Sequence, residues 1–259
     1  MPWSLWLSLF CPVLWRDARR ALRFWAGSSA KAISTIVLNE PTGNPKMYVS
    51  FSSQSQPVRL FLSVCLFLEL VSFAFMLFGL GDSMRNFLIA MGGFWPDLLK
   101  GAKPIYPGQA ILMFATSAIL HGGPLHFFIN MLGLMWLGPI IVNRLGLHAF
   151  WLIAGISTLG AGGLYAALAG PGSIPAVGAS GVLFGFLGTV ALWETLDQYT
   201  RGENLVPLLQ HGIVLLFINV ALTLANTSTI AWEAHVGGFL AGVLCGLLTW
   251  RRPFSSRWT

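Results

Sequence analysis

Gly178-Ala179-Ser180-Gly181-Val182-Leu183-Phe184-Gly185-Phe186-Leu187-Gly188 sets a single hydroxyl at the head of an apolar run. Gly178 and Gly181 leave the serine without bulky neighbours, so another backbone can come close to it. Small residues recur at Gly181, Gly185 and Gly188, the spacing of a tight helix–helix seam in lipid. Taken alone, Ser180 reads first as one more small residue of that seam. What shifts the reading is a histidine further along the chain, at position 235.

The surroundings of this stretch are those of a membrane. Of 259 residues 55% are hydrophobic and 9% charged, too few charges for a soluble domain of this size, so the chain reads as a polytopic membrane protein. Its net charge of +6 is scattered and fits topology and lipid headgroups, not nucleic acid. Cys11, Cys65 and Cys245 lie far apart in apolar runs, without metal or disulfide spacing, and read as packing residues.

Six stretches have membrane length: 60–80, 124–142, 149–169, 180–196, 206–224 and 234–250, each enough for a helix across the bilayer core. The fourth and sixth are the shortest, as expected if each begins below the surface, at the floor of a cavity. Between the first two lies a polar and aromatic stretch with Pro96, Pro104 and Pro107 and apolar pieces around residues 86–91. This predicts a loop lying in the interface. Residues 111–120 are apolar but too short to span.

Arg59, Arg144, Arg201 and the tail arginines Arg251, Arg252 and Arg257 alternate onto one side, while the 170–178 and 225–233 loops carry no Lys or Arg. Both termini are therefore expected in the cytoplasm, with Ser180 and His235 at the outer ends of their helices. Arg85, Lys100 and Lys103 run against the rule, partly offset by Asp82 and Asp97.

Residues 1–46 differ from the rest. A short lead with Trp3, Trp6, Phe10 and Trp15 precedes Arg16, Arg19, Arg20, Arg23 and Lys31. The lead is too short to span. A transit peptide, an interfacial amphipathic segment, or an extension ahead of a true start at Met47 all fit. Gly43-Asn44-Pro45 breaks any structure before that methionine. The expectation is that a chain beginning at Met47 inserts and works as well as the whole.

His235 opens the sixth span in Ala234-His235-Val236-Gly237-Gly238-Phe239-Leu240-Ala241-Gly242. An intramembrane histidine is costly and by default a functional candidate. Gly238, Gly242 and Gly246 follow it on the same helix face, so that face is smooth and can meet a second smooth helix. The fourth span offers one, with its serine at the matching depth. A serine and a histidine so paired have the makings of a nucleophile and its base. A capping or packing histidine is the bland alternative.

A third constellation opens the second span: His121-Gly122-Gly123-Pro124-Leu125-His126-Phe127-Phe128-Ile129-Asn130. His126 and Asn130 stand one turn apart on one face, and their N–H groups could point at a developing oxyanion. Equally, Asn130 could bond a neighbouring backbone inside the bundle.

His126-x-x-x-Asn130, Gly178-x-Ser180-Gly181 and His235-x-x-Gly238, in this order on the second, fourth and sixth spans, resemble the rhomboid family of intramembrane serine proteases over residues 59–252. The resemblance implies an all-α membrane protein, a six-transmembrane-helix bundle with an interfacial first outer loop. It implies Ser180 as nucleophile and His235 as general base. Asn130, His126 and the backbone N–H of Ser180 would form the oxyanion hole. Gly178 and Gly181 would support the site, Gly238 would be a packing glycine, and Phe184 the aromatic that stacks on the catalytic imidazole. Two motifs depart from the family. Gln109-Ala110 stand where many members carry Trp-Arg in the first outer loop. Val142-Asn143-Arg144 keep only the arginine of a Glu-x-Arg near the inner end of the second span.

The implied function is an endopeptidase that cleaves transmembrane segments through a Ser180–His235 dyad and an acyl-enzyme. No cofactor is expected, and the five histidines show no metal-ligand spacing. The expected partners are transmembrane protein substrates and the lipid bilayer, with no nucleic acid. The expected location is a bacterial inner membrane, or alternatively an organelle membrane. Residues 1–58 are expected as an N-terminal cytoplasmic extension, 59–252 as the membrane domain and 253–259 as a tail. A rhomboid-like pseudoprotease that only binds membrane helices is a second reading. A small transporter using Glu69 and Asn219 is a third, weakened because the two halves of the chain do not repeat.

Overall fold

The computed structural model describes residues 56–204, 206 and 231–251. Among them the architecture is helical. The elements in chain order are α1 (Gln56–Phe75), extended by a π-helical turn (Met76–Leu80), α2 (Ser83–Gly92), α3 (Pro96–Leu99), α4 (Gln109–Thr116), closed by a 3-10 turn (Ser117–Ile119), α5 (Pro124–Leu145), α6 (Leu147–Leu168), α7 (Ser180–Thr200) and α8 (Trp232–Thr249).

Among the described residues four helices are long and apolar enough to cross a membrane: Gln56–Leu80, Pro124–Leu145, Leu147–Leu168 and Trp232–Thr249. α7 is of similar length at 21 residues, and its last third carries Glu194 and Asp197. The helix runs four residues past the predicted span, into polar sequence where apolarity alone gives no signal. The fifth predicted span, 206–224, lies outside the described residues apart from Val206, and so does residue 219 within it. The segment 1–46 lies outside them as well.

α7 and α8 lie at the centre and pack against each other and against α6. The contact is backbone on backbone. A Cβ at Gly238 would strike the carbonyl of Gly181, one at Gly242 that of Gly185, and one at Gly246 would come within 2.9 Å of that of Thr189. Two rows of small residues, 181/185/189 and 238/242/246, thus face each other four residues at a time, the close approach that small residues permit in lipid. The Thr189 hydroxyl, shared between the carbonyls of Gly185 and Gly242 at 3.0 and 2.9 Å, and the Trp193 indole, donating to Gly246 O at 3.2 Å, cross the same seam.

α6 completes the trio. Its Ser157 and Ala161 occupy the notches at Gly185 and Gly181, and its Gly160 meets Gly237 and Ala241 of α8. α1 and α5 lean on this centre, with Val58 and Phe150 against the notch of Gly138 in α5. Cys65 and Cys245 are both buried.

The segment between α1 and α5 forms α2, α3 and α4 and is tied down at several points. Gln109, buried, donates to the carbonyl of Ala90 at 2.9 Å and accepts from the N–H of Ile105 at 2.7 Å. Phe94 and Ala176 exchange two backbone hydrogen bonds of 2.9 and 3.0 Å. The Phe94 ring fills the space left by Gly162 and meets Phe114 edge-on at 4.8 Å. Asp97 accepts from the N–H of Gly172 at 3.2 Å, and the Tyr165 hydroxyl donates to Ile174 O at 2.6 Å. The loop that leads into Ser180 is thereby held by that segment on one side and α6 on the other.

At the end of the bundle far from Ser180, Arg144, buried on α5, donates to Trp250 O at 3.1 Å, lies 3.5 Å from the Asp197 carboxylate and covers the Trp193 ring at 4.3 Å. Trp250 donates its indole N–H to Asp197 at 2.7 Å. Arg144 therefore joins α5 to α7 and to the residue just past α8, although the glutamate two residues before it in many family members is absent here.

Candidate active site

Ser180 is the first residue of α7. Its N–H is among those that helical geometry leaves without an intrahelical partner, and it sits at the positive end of the helix dipole. Gly178 makes the turn into it at φ +125°, a conformation that strains any residue with a Cβ. Space forbids one as well: a Cβ here would lie 2.8 Å from Cε1 and Nε2 of His126 and 3.7 Å from Nδ2 of Asn130. The Gly178 N–H donates to Ser117 O at 2.9 Å. The backbone leading into Ser180 is thus pressed against the face of α5 that carries His126 and Asn130.

His235 lies in the first turn of α8. Its Nε2 is 2.9 Å from Ser180 Oγ, within hydrogen-bond range. Its ring lies flat on Phe184, with centroids 4.4 Å apart and 11° between planes. Phe184 is one turn below Ser180 on the same helix, so α7 supplies both the hydroxyl and the surface that orients the imidazole. The contact of Gly238 with Gly181 is what lets the two helices come near enough for this.

Asn130 is buried, and one of its amide hydrogens bonds the carbonyl of His126 at 2.9 Å. This is the backbone bond that the sequence alone left open. An amide carries a second N–H, and the amide nitrogen is on the Gly178 side. The His126 Nδ1 accepts from the Gly122 N–H at 3.4 Å. A neutral imidazole that accepts at Nδ1 carries its hydrogen at Nε2, the atom that abuts Gly178. Ser180, His235, Phe184, His126, Asn130, Gly178, Gly181 and Gly238 are therefore all brought together.

Sequence reasoning passed over Ser157, Gly160 and Ala161, which form the α6 side of the glycine seam. Their own three- and four-residue spacing was the available signal. The sequence reading named Glu69, Arg85 and His121 separately and did not join them. Arg85 and Glu69, with side chains 10% and 9% exposed, are in contact at 2.8 Å, and Asp82 lies 3.7 Å from Arg85. The arginine that runs against the charge rule is thus compensated by a span carboxylate. Glu69, the residue a transporter would have used, is committed to that pair. Burial, with His126 and Arg85 nearby, pushes the pKa of His121 down to about 3 and keeps that ring neutral.

A family model described as the Rhomboid domain matches residues 108–252. "RHOMBOID-like protein 5" of Arabidopsis thaliana is 37% identical over 135 residues, which are 52% of this chain and 42% of that protein. "RHOMBOID-like protein 6, mitochondrial" of the same plant is 31% identical over 156 residues, 59% of this chain and 48% of that one. "Putative rhomboid protease YdcA" of Bacillus subtilis (strain 168) is 28% identical over 160 residues, 58% of this chain and 75% of that protein. The chain spans less than half the length of the plant relatives it matches. With more than half of its residues under the family model, helices of membrane length and an all-helical described fold, this chain belongs to the rhomboid family of integral membrane proteins.

Proposed function

We propose that this protein is an intramembrane serine endopeptidase whose dyad is Ser180 and His235. The observation that carries the reading is the 2.9 Å contact between Ser180 Oγ and His235 Nε2, with the imidazole stacked on Phe184. Ser180 Oγ attacks the scissile carbonyl carbon as Nε2 takes its proton. The carbonyl oxygen becomes an oxyanion, received by the backbone N–H of Ser180, the second amide hydrogen of Asn130 and the Nε2–H of His126. Collapse of the intermediate breaks the C–N bond, and the imidazolium passes its proton to the leaving amine. Water, deprotonated by His235, then hydrolyses the acyl-enzyme and frees Ser180. A third acidic residue is not required to hold the ring, because stacking on Phe184 does so.

The substrates are membrane proteins with a single spanning segment. A hydrogen-bonded helix hides its carbonyls, so the segment must unwind at the cut, which favours Gly, Pro or small residues there. Residues 59–252 form the catalytic domain between an N-terminal extension (1–58) and a short tail (253–259). Both termini face the cytoplasm of a bacterial inner membrane, or the corresponding side of an organelle membrane. The test is labelling of the purified full chain with a fluorophosphonate probe, alongside cleavage of a reconstituted transmembrane substrate. Labelling and cleavage that both vanish in Ser180→Ala are the expected result. A wild-type chain that binds the substrate but neither labels nor cleaves would mean a binding protein without the reaction.

A further inference from the structure

The buried Glu69–Arg85 pair makes a contact that anchoring α2 would not require. Arg85 holds the carboxylate of Glu69 through both terminal nitrogens, at 2.8 and 3.0 Å. One of those nitrogens, Nη1, also donates to the backbone carbonyl of His121 at 2.8 Å. That carbonyl and the N–H of Gly122 belong to one planar peptide unit. The N–H of the same unit donates to Nδ1 of His126 at 3.4 Å. An unbroken path therefore runs from α1 (Glu69) through α2 (Arg85) and the His121–Gly122 peptide to the imidazole on α5, whose other nitrogen abuts Gly178.

We propose that the Glu69–Arg85 pair is a positioning device for His126, fixing the His121–Gly122 peptide plane so that the imidazole holds one tautomer with its Nε2 hydrogen turned toward Gly178. The proposal rests on the reading of His126 as an oxyanion donor. Its physical grounds are local. Gly122-Gly123 is a pair of glycines with much conformational freedom to lose, so the peptide between His121 and Gly122 needs an external hold. A charge-assisted hydrogen bond to its carbonyl supplies one and, by polarising the amide, makes its N–H a better donor. The planar fork of Arg85 is suited to this because it grips the carboxylate with both terminal nitrogens in a fixed geometry while one of them also reaches the carbonyl. The His121 ring, buried and edge-on to both His126 and Phe127 at 5.4 Å, braces the same turn.

The test uses the full chain carrying Glu69→Gln and Arg85→Gln together, so that neither charge is left buried without the other. Nitrogen-15 NMR of histidine-labelled protein, with the His126 signals assigned by their loss in His126→Ala, reads the tautomer whether or not anything is cleaved. The wild type should show a protonated Nε2 and a bare Nδ1, and the double variant a mixture of both tautomers. An unchanged single tautomer in the variant overturns the proposal. In cleavage, kcat should fall ~10-fold or more with KM little changed, as expected for a misdirected transition-state donor. The same two substitutions added to His126→Ala should cause no further fall, whereas an equal fall in both backgrounds would mark the pair as merely structural and sink the idea. If the wild type neither labels with fluorophosphonate nor cleaves, the protease reading fails, and the NMR result still decides the positioning role.

Discussion

At the scale of single residues, the site is a contact between two side chains whose surroundings do the rest. In the proposed mechanism Ser180 and His235 act as a unit, so Ser180→Ala and His235→Ala should each abolish cleavage, and the double variant should be no worse than either. Turnover at the wild-type rate by Ser180→Ala would end the dyad. Asn130 has already given one N–H to the His126 carbonyl, which leaves it a single donor for an oxyanion. Asn130→Ala should therefore cost ~10²–10³-fold in kcat and leave measurable activity. His121 carries a prediction in pH. Its folded pKa, about 3, lies below the ordinary value of 6.5, so between those values the unfolded chain binds more protons than the native one. The stabilisation is complete above pH 6.5 and drains away as pH falls toward 3. Thermal unfolding in detergent should show Tm dropping from pH 7 to 4.5, with a smaller drop in His121→Phe. Equal drops would mean that other groups control the acid limb.

The elements owe their arrangement to backbone contact in place of side-chain interdigitation. Gly238 faces the carbonyl of Gly181, one turn beneath the reacting atoms. In Gly238→Val the side chain has no space, α7 and α8 must separate, and a displacement of ~1 Å at the dyad is enough to cost ~10²-fold. Fluorophosphonate labelling and cleavage should both fall although no reacting group is changed. Full activity would mean that the seam can open without moving Ser180 from His235. Gly155 offers the control. It lies on α6 with nothing near its missing side chain, so Gly155→Ala should leave rate and Tm nearly unaltered.

Over the described bundle as a whole, the two ends are closed by different chemistry. The end around the site is held by backbone bridges and the Glu69–Arg85 pair. The opposite end is held by Arg144, which reaches α7 through Asp197 and the chain past α8 through Trp250. Arg144→Ala removes a buried charge from that junction, a loss of about 3 kcal/mol, the low end for a broken buried pair because the Asp197 side chain is 32% exposed, or roughly 6–12 °C in Tm for a domain of this size. Cleavage measured well below that Tm should persist, because the dyad is at the opposite end of the helices. Loss of cleavage without loss of Tm would show that the Arg144 end controls the site.

Membrane residence, the helical class and the set of polar residues that the structure brings together around Ser180 were legible in the amino-acid order, because hydropathy and glycine spacing are local properties that no partner has to complete. Ser180, His235, His126 and Asn130 stood out as polar groups where lipid penalises them, and the register of Gly238, Gly242 and Gly246 named the face that must meet another helix. The partner of each face was not legible. The packing of α6 against both α7 and α8 and the pairing of Glu69 with Arg85 depend on how separate segments dock, and a charge in a list of letters does not say which way it turns. That α7 continues past the apolar run was not legible for a related reason. Polar residues there stay helical when tertiary contacts such as Asp197 with Arg144 and Trp250 hold them. Residue spacing decided which groups would be available for chemistry, and only the close approach of helices in three dimensions decided which of them touch.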